Sequence, residues 1–294
     1  MLPVDKIKRM VVRSAALTAV GFVALFAQAA LAQGSGFEQA ERLYRQTNYH
    51  GALDILKHQP QTAPVLFLSG RCLYYQGDYK QSVQILEKAA AADPRNASYQ
   101  NWLGKAWGRR AETANVFQAP GFANRAREAF ERAVAIDSAY MEALEDLFQY
   151  YLEAPGFLGG GLDKAEGLLP SIKQTDAAEY HAAKAQIAEK TKDYASAEAQ
   201  LRRAVSIAPR KLVDLARFLA RRGRVKEADA VFADAARVVP DSKERLFAQA
   251  EVYVETKRNP EEARKLLSRY LSMPLTPDDP PRQDAEKLLK KIGG

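Results

Sequence analysis

An all-α solenoid of about seven helix pairs, closed by one further helix, is the fold class this sequence predicts. Two observations carry that expectation. A small residue followed four positions later by Leu or Phe recurs at Ala52/Leu56, Ser82/Leu86, Ala126/Phe130, Ala165/Leu169, Ala197/Leu201, Ala228/Phe232 and Ala263/Leu267. Self-similarity at a near-constant period means stacked copies of one supersecondary unit, none of which buries its apolar face alone. Upstream of each pair lies a second apolar-periodic segment, and the clearest of these carry another small residue, at Gly70, Gly104, Ala185, Ala216 and Ala250. Small residues on both partners let two helix backbones approach closely, while the large residue fills the space beside the crossing.

The units follow in order. The first has Ala52/Leu56 on its second helix and a first helix from about residue 36. In the second, Gly77-Asp78-Tyr79 is the turn between partners, and Pro94 ends the second helix because proline cannot continue one. The third carries Trp102, Leu103, Gly104 and Trp107 on its first helix; the fourth has Phe148 where its neighbours have a small residue. These two units are long, with intervals of 44 and 39 residues against 30 to 35 elsewhere. Both extras are expected as loops between the paired helices, and both contain Ala-Pro-Gly-Phe, at 119–122 and 154–157. Gly159, Gly160 and Gly161 then read as a flexible turn, with Asp163 as N-cap and Glu166 three residues on closing a capping box. Lys192-Asp193-Tyr194 and Gly223-Arg224-Val225 mark the turns of the fifth and sixth units, and Pro209 and Pro240 follow them. After Ala263/Leu267 of the seventh comes a connector rich in Pro and Asp, from Leu271 to Pro281. Arg282 to Ile292 reads as a capping helix, with Leu288, Leu289 and Ile292 inward, Lys287, Lys290 and Lys291 outward, and Gly293 as its stop.

The stretch from Leu68-Ser69-Gly70-Arg71-Cys72-Leu73 to Ala92-Asp93-Pro94, and Trp102-Leu103-Gly104 with Trp107, resemble the tetratricopeptide repeat family. The likeness runs through nearly all of the chain beyond residue 34. It departs at Gly36, where a bulky residue is usual, at Phe148, and in the short sixth repeat. The resemblance implies a right-handed superhelix whose first helices line a concave groove, and a protein or peptide partner held there. Carried over by position, the groove of repeats two and three holds Arg71, Asn101, Lys105 and Arg109. Repeat four contributes Glu145, Gln149 and Glu153, repeat six Arg217 and Arg221, and repeat seven Glu244, Glu251 and Glu255, an alternation of basic and acidic stretches. The clamp of two Asn and several Lys/Arg by which some relatives hold a chaperone's terminal carboxylates is not fully matched. The chain also resembles a group of exported bacterial relatives with a Pro-Gly-Phe-Leu-Gly-Gly-Gly insertion, present here at 155–161.

The N-terminus predicts export. Lys6, Lys8, Arg9 and Arg13 precede an apolar run from Ala15 to Leu31 and the site Ala30-Leu31-Ala32, the three parts of a secretory signal peptide. Cleavage is expected after Ala32, giving 1–32 as signal, 33–272 as solenoid, and 273–294 as connector and capping helix, in the periplasm or outside the cell. Any membrane attachment would be through an uncleaved signal segment. Its loss lowers the net charge from +7 to +4, a mild excess interspersed with acids on helix faces rather than gathered in the stripe that nucleic acid requires.

Catalytic and metal-binding constellations are not found in the sequence. His50, His58 and His181 have no metal-ligand spacing, and the triple glycine lacks the Lys-Ser/Thr and the preceding strand of a phosphate loop. The single cysteine, Cys72, reads as a small buried apolar residue. No cofactor and no enzyme activity are expected. The expected role is a scaffold for protein–protein interaction in cell-envelope assembly or secretion, with binding of a small or polymeric envelope ligand such as a glycan as the alternative. The oligomeric state is not legible. Phe122 and Phe157, from the repeated tetrapeptides, are expected either to fold back on their own helices or to form one exposed docking edge.

Overall fold

A computed structural model describes residues 36–293 of the chain. The signal segment expected at 1–32 lies outside the described residues. Among the described residues there are helices and turns but no strand. The helices form seven antiparallel pairs: α1 (36–45) with α2 (Tyr49–Leu56), α3 (Ala63–Tyr75) with α4 (Tyr79–Ala92), and α5 (Ala97–Thr113) with α6 (Ala119–Ile136). Then come α7 (Met141–Glu153) with α8 (Leu162–Thr175), α9 (Ala177–Lys190) with α10 (Tyr194–Ile207), α11 (Leu212–Arg221) with α12 (Val225–Val238), and α13 (Lys243–Glu255) with α14 (Pro260–Ser272). The last helix, α15 (Arg282–Gly293), packs on both α13 and α14 and caps the stack.

First helices also pack on one another across repeats: α3 on α5, α5 on α7, α7 on α9, and α11 on α13. Second helices of neighbouring repeats do not pack in this way, so the first helices form the inner, concave layer of a superhelix and the second helices the outer one. The core accordingly runs along the stack as successive clusters, from Tyr44, Leu56 and Leu68 at one end to Leu246, Leu267 and Tyr270 at the other.

The repeated sequence features have local causes. Five of the tight turns within pairs contain a residue in the left-handed region, Thr47, Gly77, Lys192, Gly223 and Lys257, and the last of these turns contains a second, Asn259. Asn48, Asp78 and Asp193 follow three of these as N-caps, each side chain accepting from the backbone N–H three residues on. A Cβ on Gly70 would come within 2.5 Å of the Leu86 side chain, and one on Gly104 within 2.5 Å of the Phe130 ring. The small-plus-large pairing is therefore a contact between partner helices. The paired positions are buried in every repeat except at Leu169, which is half-buried while Ile172 takes the interior.

The two long repeats differ from the sequence expectation. The extra residues of repeat three lengthen both helices, to 17 residues in α5 and 18 in α6, and leave only 114–118 between them. The first Ala-Pro-Gly-Phe is thus the opening turn of α6, where proline fits because its missing N–H would have no helical partner. The second forms a turn and a short 3-10 helix at Gly156–Leu158. Asp163 is not an N-cap: α8 begins at Leu162, Gly161 occupies the cap position, and no side chain caps it. Nor is the triple glycine a loose turn. Gly159 adopts φ +83°, Gly161 donates to the Tyr151 carbonyl at 2.8 Å, and a Cβ on Gly160 would sit 1.8 Å from the Ala154 carbonyl oxygen.

Candidate partner-binding groove

Arg71 projects from α3 into an aromatic cradle. Its guanidinium carbon lies 4.5 Å from the Tyr44 ring centroid and 4.4 Å from that of Trp102, with Phe67 at 5.3 Å. Among the described residues it makes no ion pair or hydrogen bond, and its Nε is buried. The cation is held by ring faces alone, a geometry that suits the planar guanidinium.

The next cations of the inner layer are already neutralised. Lys105 Nζ lies 2.6 Å from Glu142 and 3.3 Å from Asp146, and sits over Trp102. Burial alone would lower this ammonium, but the two carboxylates outweigh it and hold it above its ordinary value. Asn101 is fully buried and donates to Asp146 at 2.8 Å. Arg109 donates to the Tyr79 hydroxyl at 3.2 Å and pairs with Glu112. Of the basic groove positions Arg71, Lys105 and Arg109, only Arg71 lacks an ion-pair or hydrogen-bond partner among the described residues, because α7 brings Glu142 and Asp146 against Lys105 while Tyr79 and Glu112 take up Arg109.

In the middle of the groove the unmatched groups are acids. Glu145 and Glu244 have no ion-pair partner among the described residues, and Gln149 beside them makes no side-chain hydrogen bond. They border a cavity of about 460 Å³ that also exposes Asp146, Glu179, Lys211 and Asp214. Burial in the groove pushes the Glu145 carboxyl up to about 7, aided by repulsion from Glu179 and opposed by Lys211. Glu244 is raised in the same way, by burial and then by Asp214. Glu179 is itself satisfied, by Lys211 at 2.6 Å. Glu153 pairs with Lys190 at 3.0 Å, Arg217 with Glu251 at 3.1 Å and Arg221 with Glu189 at 2.9 Å, bridging neighbouring first helices. Glu244 was legible by position, but its lack of a partner was not, since pairing depends on which helices meet.

The insertion residues separate. Phe122 stacks on Trp107 with centroids 5.3 Å apart, and the Arg110 guanidinium lies against both rings, 4.2 Å from the Phe122 centroid and 5.1 Å from that of Trp107, whereas Phe157 is 81% exposed. A shared Phe122/Phe157 edge is therefore not formed. Val116 and Phe117, 79% and 92% exposed in the link before α6, were missed; the signal was two adjacent large apolar residues between the polar Asn115 and Gln118.

Cys72 is buried, which pushes its thiol up to about 12. Among the described residues no group of three His, Cys, Asp or Glu side chains is arranged to hold a metal ion, and no helix is long and apolar enough to cross a membrane.

Comparison with known proteins agrees with this architecture. One tetratricopeptide-repeat family model matches residues 67–114 and 213–280, and a second matches 178–211, together about half of the chain. The insertion-bearing stretch between 115 and 177 falls outside both matches. No curated protein matches the chain. Among solved structures, a thermophilic tetratricopeptide-repeat protein from Thermus thermophilus is similar at 22% identity and a TM-score of 0.51, covering 67% of this chain and 98% of its own. A tetratricopeptide-repeat protein from Parabacteroides merdae is similar at 15% identity and a TM-score of 0.55, covering 89% of this chain and 99% of its own. Repeats, inner and outer helix layers and profile matches agree: the chain belongs to the tetratricopeptide-repeat family.

Proposed function

We propose that this protein is an exported, non-enzymatic scaffold of the bacterial cell envelope that holds a segment of a partner protein in its concave groove. Tetratricopeptide repeats in general mediate protein–protein interaction, which supports the class. The observation that carries the groove reading is the pair of carboxylates, Glu145 and Glu244, that line one cavity without an ion-pair partner among the described residues while neighbouring charges are matched in cis. A segment with Lys or Arg side chains supplies the missing positive charge, and Gln149 offers hydrogen bonds beside it. The aromatic rings of the first three repeats are engaged with one another and with Arg71, which gives less support to a glycan ligand.

The pH dependence has a definite sign. Glu145 is raised in the folded protein, so its proton is lost only as pH rises through about 7. A basic peptide should therefore bind more tightly between about pH 6 and about pH 8 and level off above. In the free protein the charged carboxylate is disfavoured, so Glu145→Gln should raise the melting temperature at about pH 8, a gain that shrinks as pH falls below about 7 and is absent only below the ordinary carboxylate value of 4.5. Fluorescence anisotropy with a labelled Lys-rich peptide and an acidic control, on residues 33–294 and on Glu145→Gln with Glu244→Gln, tests the reading. Equal binding of both peptides, or undiminished binding by the double variant, would overturn it.

A further inference from the structure

The connector between α14 and α15 crosses to the opposite end of the superhelix. It is fixed at its own end: Leu275 is buried in the last core cluster, Lys243 pairs with Asp279 and donates to the Pro274 carbonyl at 3.1 Å, and Asp279 accepts from the Thr276 N–H at 2.7 Å. The Tyr270 hydroxyl donates to the Pro280 carbonyl. From this base the apex Pro277-Asp278 reaches the second repeat, where the Tyr75 hydroxyl donates to the Pro277 carbonyl at 2.9 Å across 202 positions of sequence. Tyr75 lies face to face with Tyr49 at 4.8 Å, and both belong to the ring cluster that holds Arg71. Asp278 is exposed and has no ion-pair partner among the described residues, and its charge adds to burial in raising the Tyr49 phenol.

We propose that Pro277-Asp278 occupies the inner face of the first two repeats as a strap in cis. A partner enters that end of the groove by displacing it with an extended segment of the same chemistry, a proline followed by an acid. The inference rests on the groove reading above but concerns its other end. Among the described residues only one hydrogen bond joins the strap to the first two repeats, so release leaves its base and the capping helix in place. The opposed charges of Asp278 and Arg71 flank the same rings without pairing, and a segment free of the strap's anchors can bring its carboxylate onto the guanidinium.

The test uses a labelled peptide with the sequence of residues 274–281 and the same peptide with both Asp changed to Asn. A chain carrying Pro277→Gly and Asp278→Gly should bind the acidic peptide at least tenfold more tightly than the unaltered chain, and the Asn peptide should lose that gain. Equal affinity of the two chains would overturn the strap. A second measurement does not depend on the variant folding: saturating acidic peptide added to the unaltered chain should shift the NMR signals of Asp278 while those of Leu275 and Asp279 in the base stay in place, and an unshifted Asp278 signal at saturation would overturn it as well. Retained binding of the Lys-rich peptide alongside either negative result confines the failure to the strap; loss of both removes the groove reading too.

Discussion

Lys105 shows how a position correctly placed on the inner face can still have a different role from the one its charge suggests. An exposed groove lysine would contribute little to stability, about 0–1 kcal/mol, and charge reversal would then be a clean test of binding. In the folded protein Lys105 is largely enclosed between Trp102, Glu142 and Asp146, so removing it strands two carboxylates. Lys105→Met should cost about 2 kcal/mol near pH 7, read as a lower midpoint in urea unfolding. The cost should shrink in acid, because the carboxylates left behind then become protonated. The sequence places Lys105 by repeat position, but Asp146 and Glu142 lie on the next first helix, and nothing local states that they point back at it. Arg71 is the converse case. Its position was legible and its isolation was not, because the cradle draws on Tyr44, Phe67 and Trp102 from three different helices.

Helix pairs were the most legible level, since the feature that specifies them is local and repeated. A small residue opposite a large one is a statement about how closely two backbones pass, and two glycines of α5 separate that effect from intrinsic helix propensity. A Cβ at Gly104 would meet the Phe130 ring at 2.5 Å, whereas one at Gly108 meets nothing within 4 Å. Gly108→Ala should therefore stabilise the protein by about 0.5–1 kcal/mol through propensity alone. Gly104→Ala, on the same helix, should destabilise by about 1–2 kcal/mol as the ring is forced off its rotamer. Thermal unfolding of the two variants checks both signs, and a stabilised Gly104→Ala would overturn the close crossing of α5 and α6 at this position. The insertions were less legible for the complementary reason. Extra length does not reveal whether it becomes loop or helix. In repeat three Ala119 to Ile136 is rich in Ala, Arg and Glu, so the residues extend α6 and carry Phe122 onto Trp107. In repeat four the Gly160 backbone must pass so close to Ala154 that only glycine fits, and the chain turns instead.

At the scale of the whole molecule, a stack of near-identical units leaves its ends and its length to decide what is special about it. Each repeat reads as its neighbour's partner, so the architecture could be followed from Ala52 to Leu267 by one rule. The meeting of Pro277 with Tyr75 could not, because closure depends on the accumulated rotation of every repeat between them. The proposed export belongs to this scale as well, and it would set where the groove acts. The basic start, the apolar run from Ala15 to Leu31 and the Ala30-Leu31-Ala32 site lead us to expect a native protein that begins at or near Gln33. Removing that segment takes away four basic residues and Asp5, so the mature surface carries +4 rather than +7 and has correspondingly weaker attraction for polyanions. N-terminal sequencing of the protein from fractionated cells decides the matter. A start at Gln33 in the periplasmic or secreted fraction is the expected result; a chain beginning at Met1 in the cytoplasm would overturn export and, with it, the envelope setting of the partner.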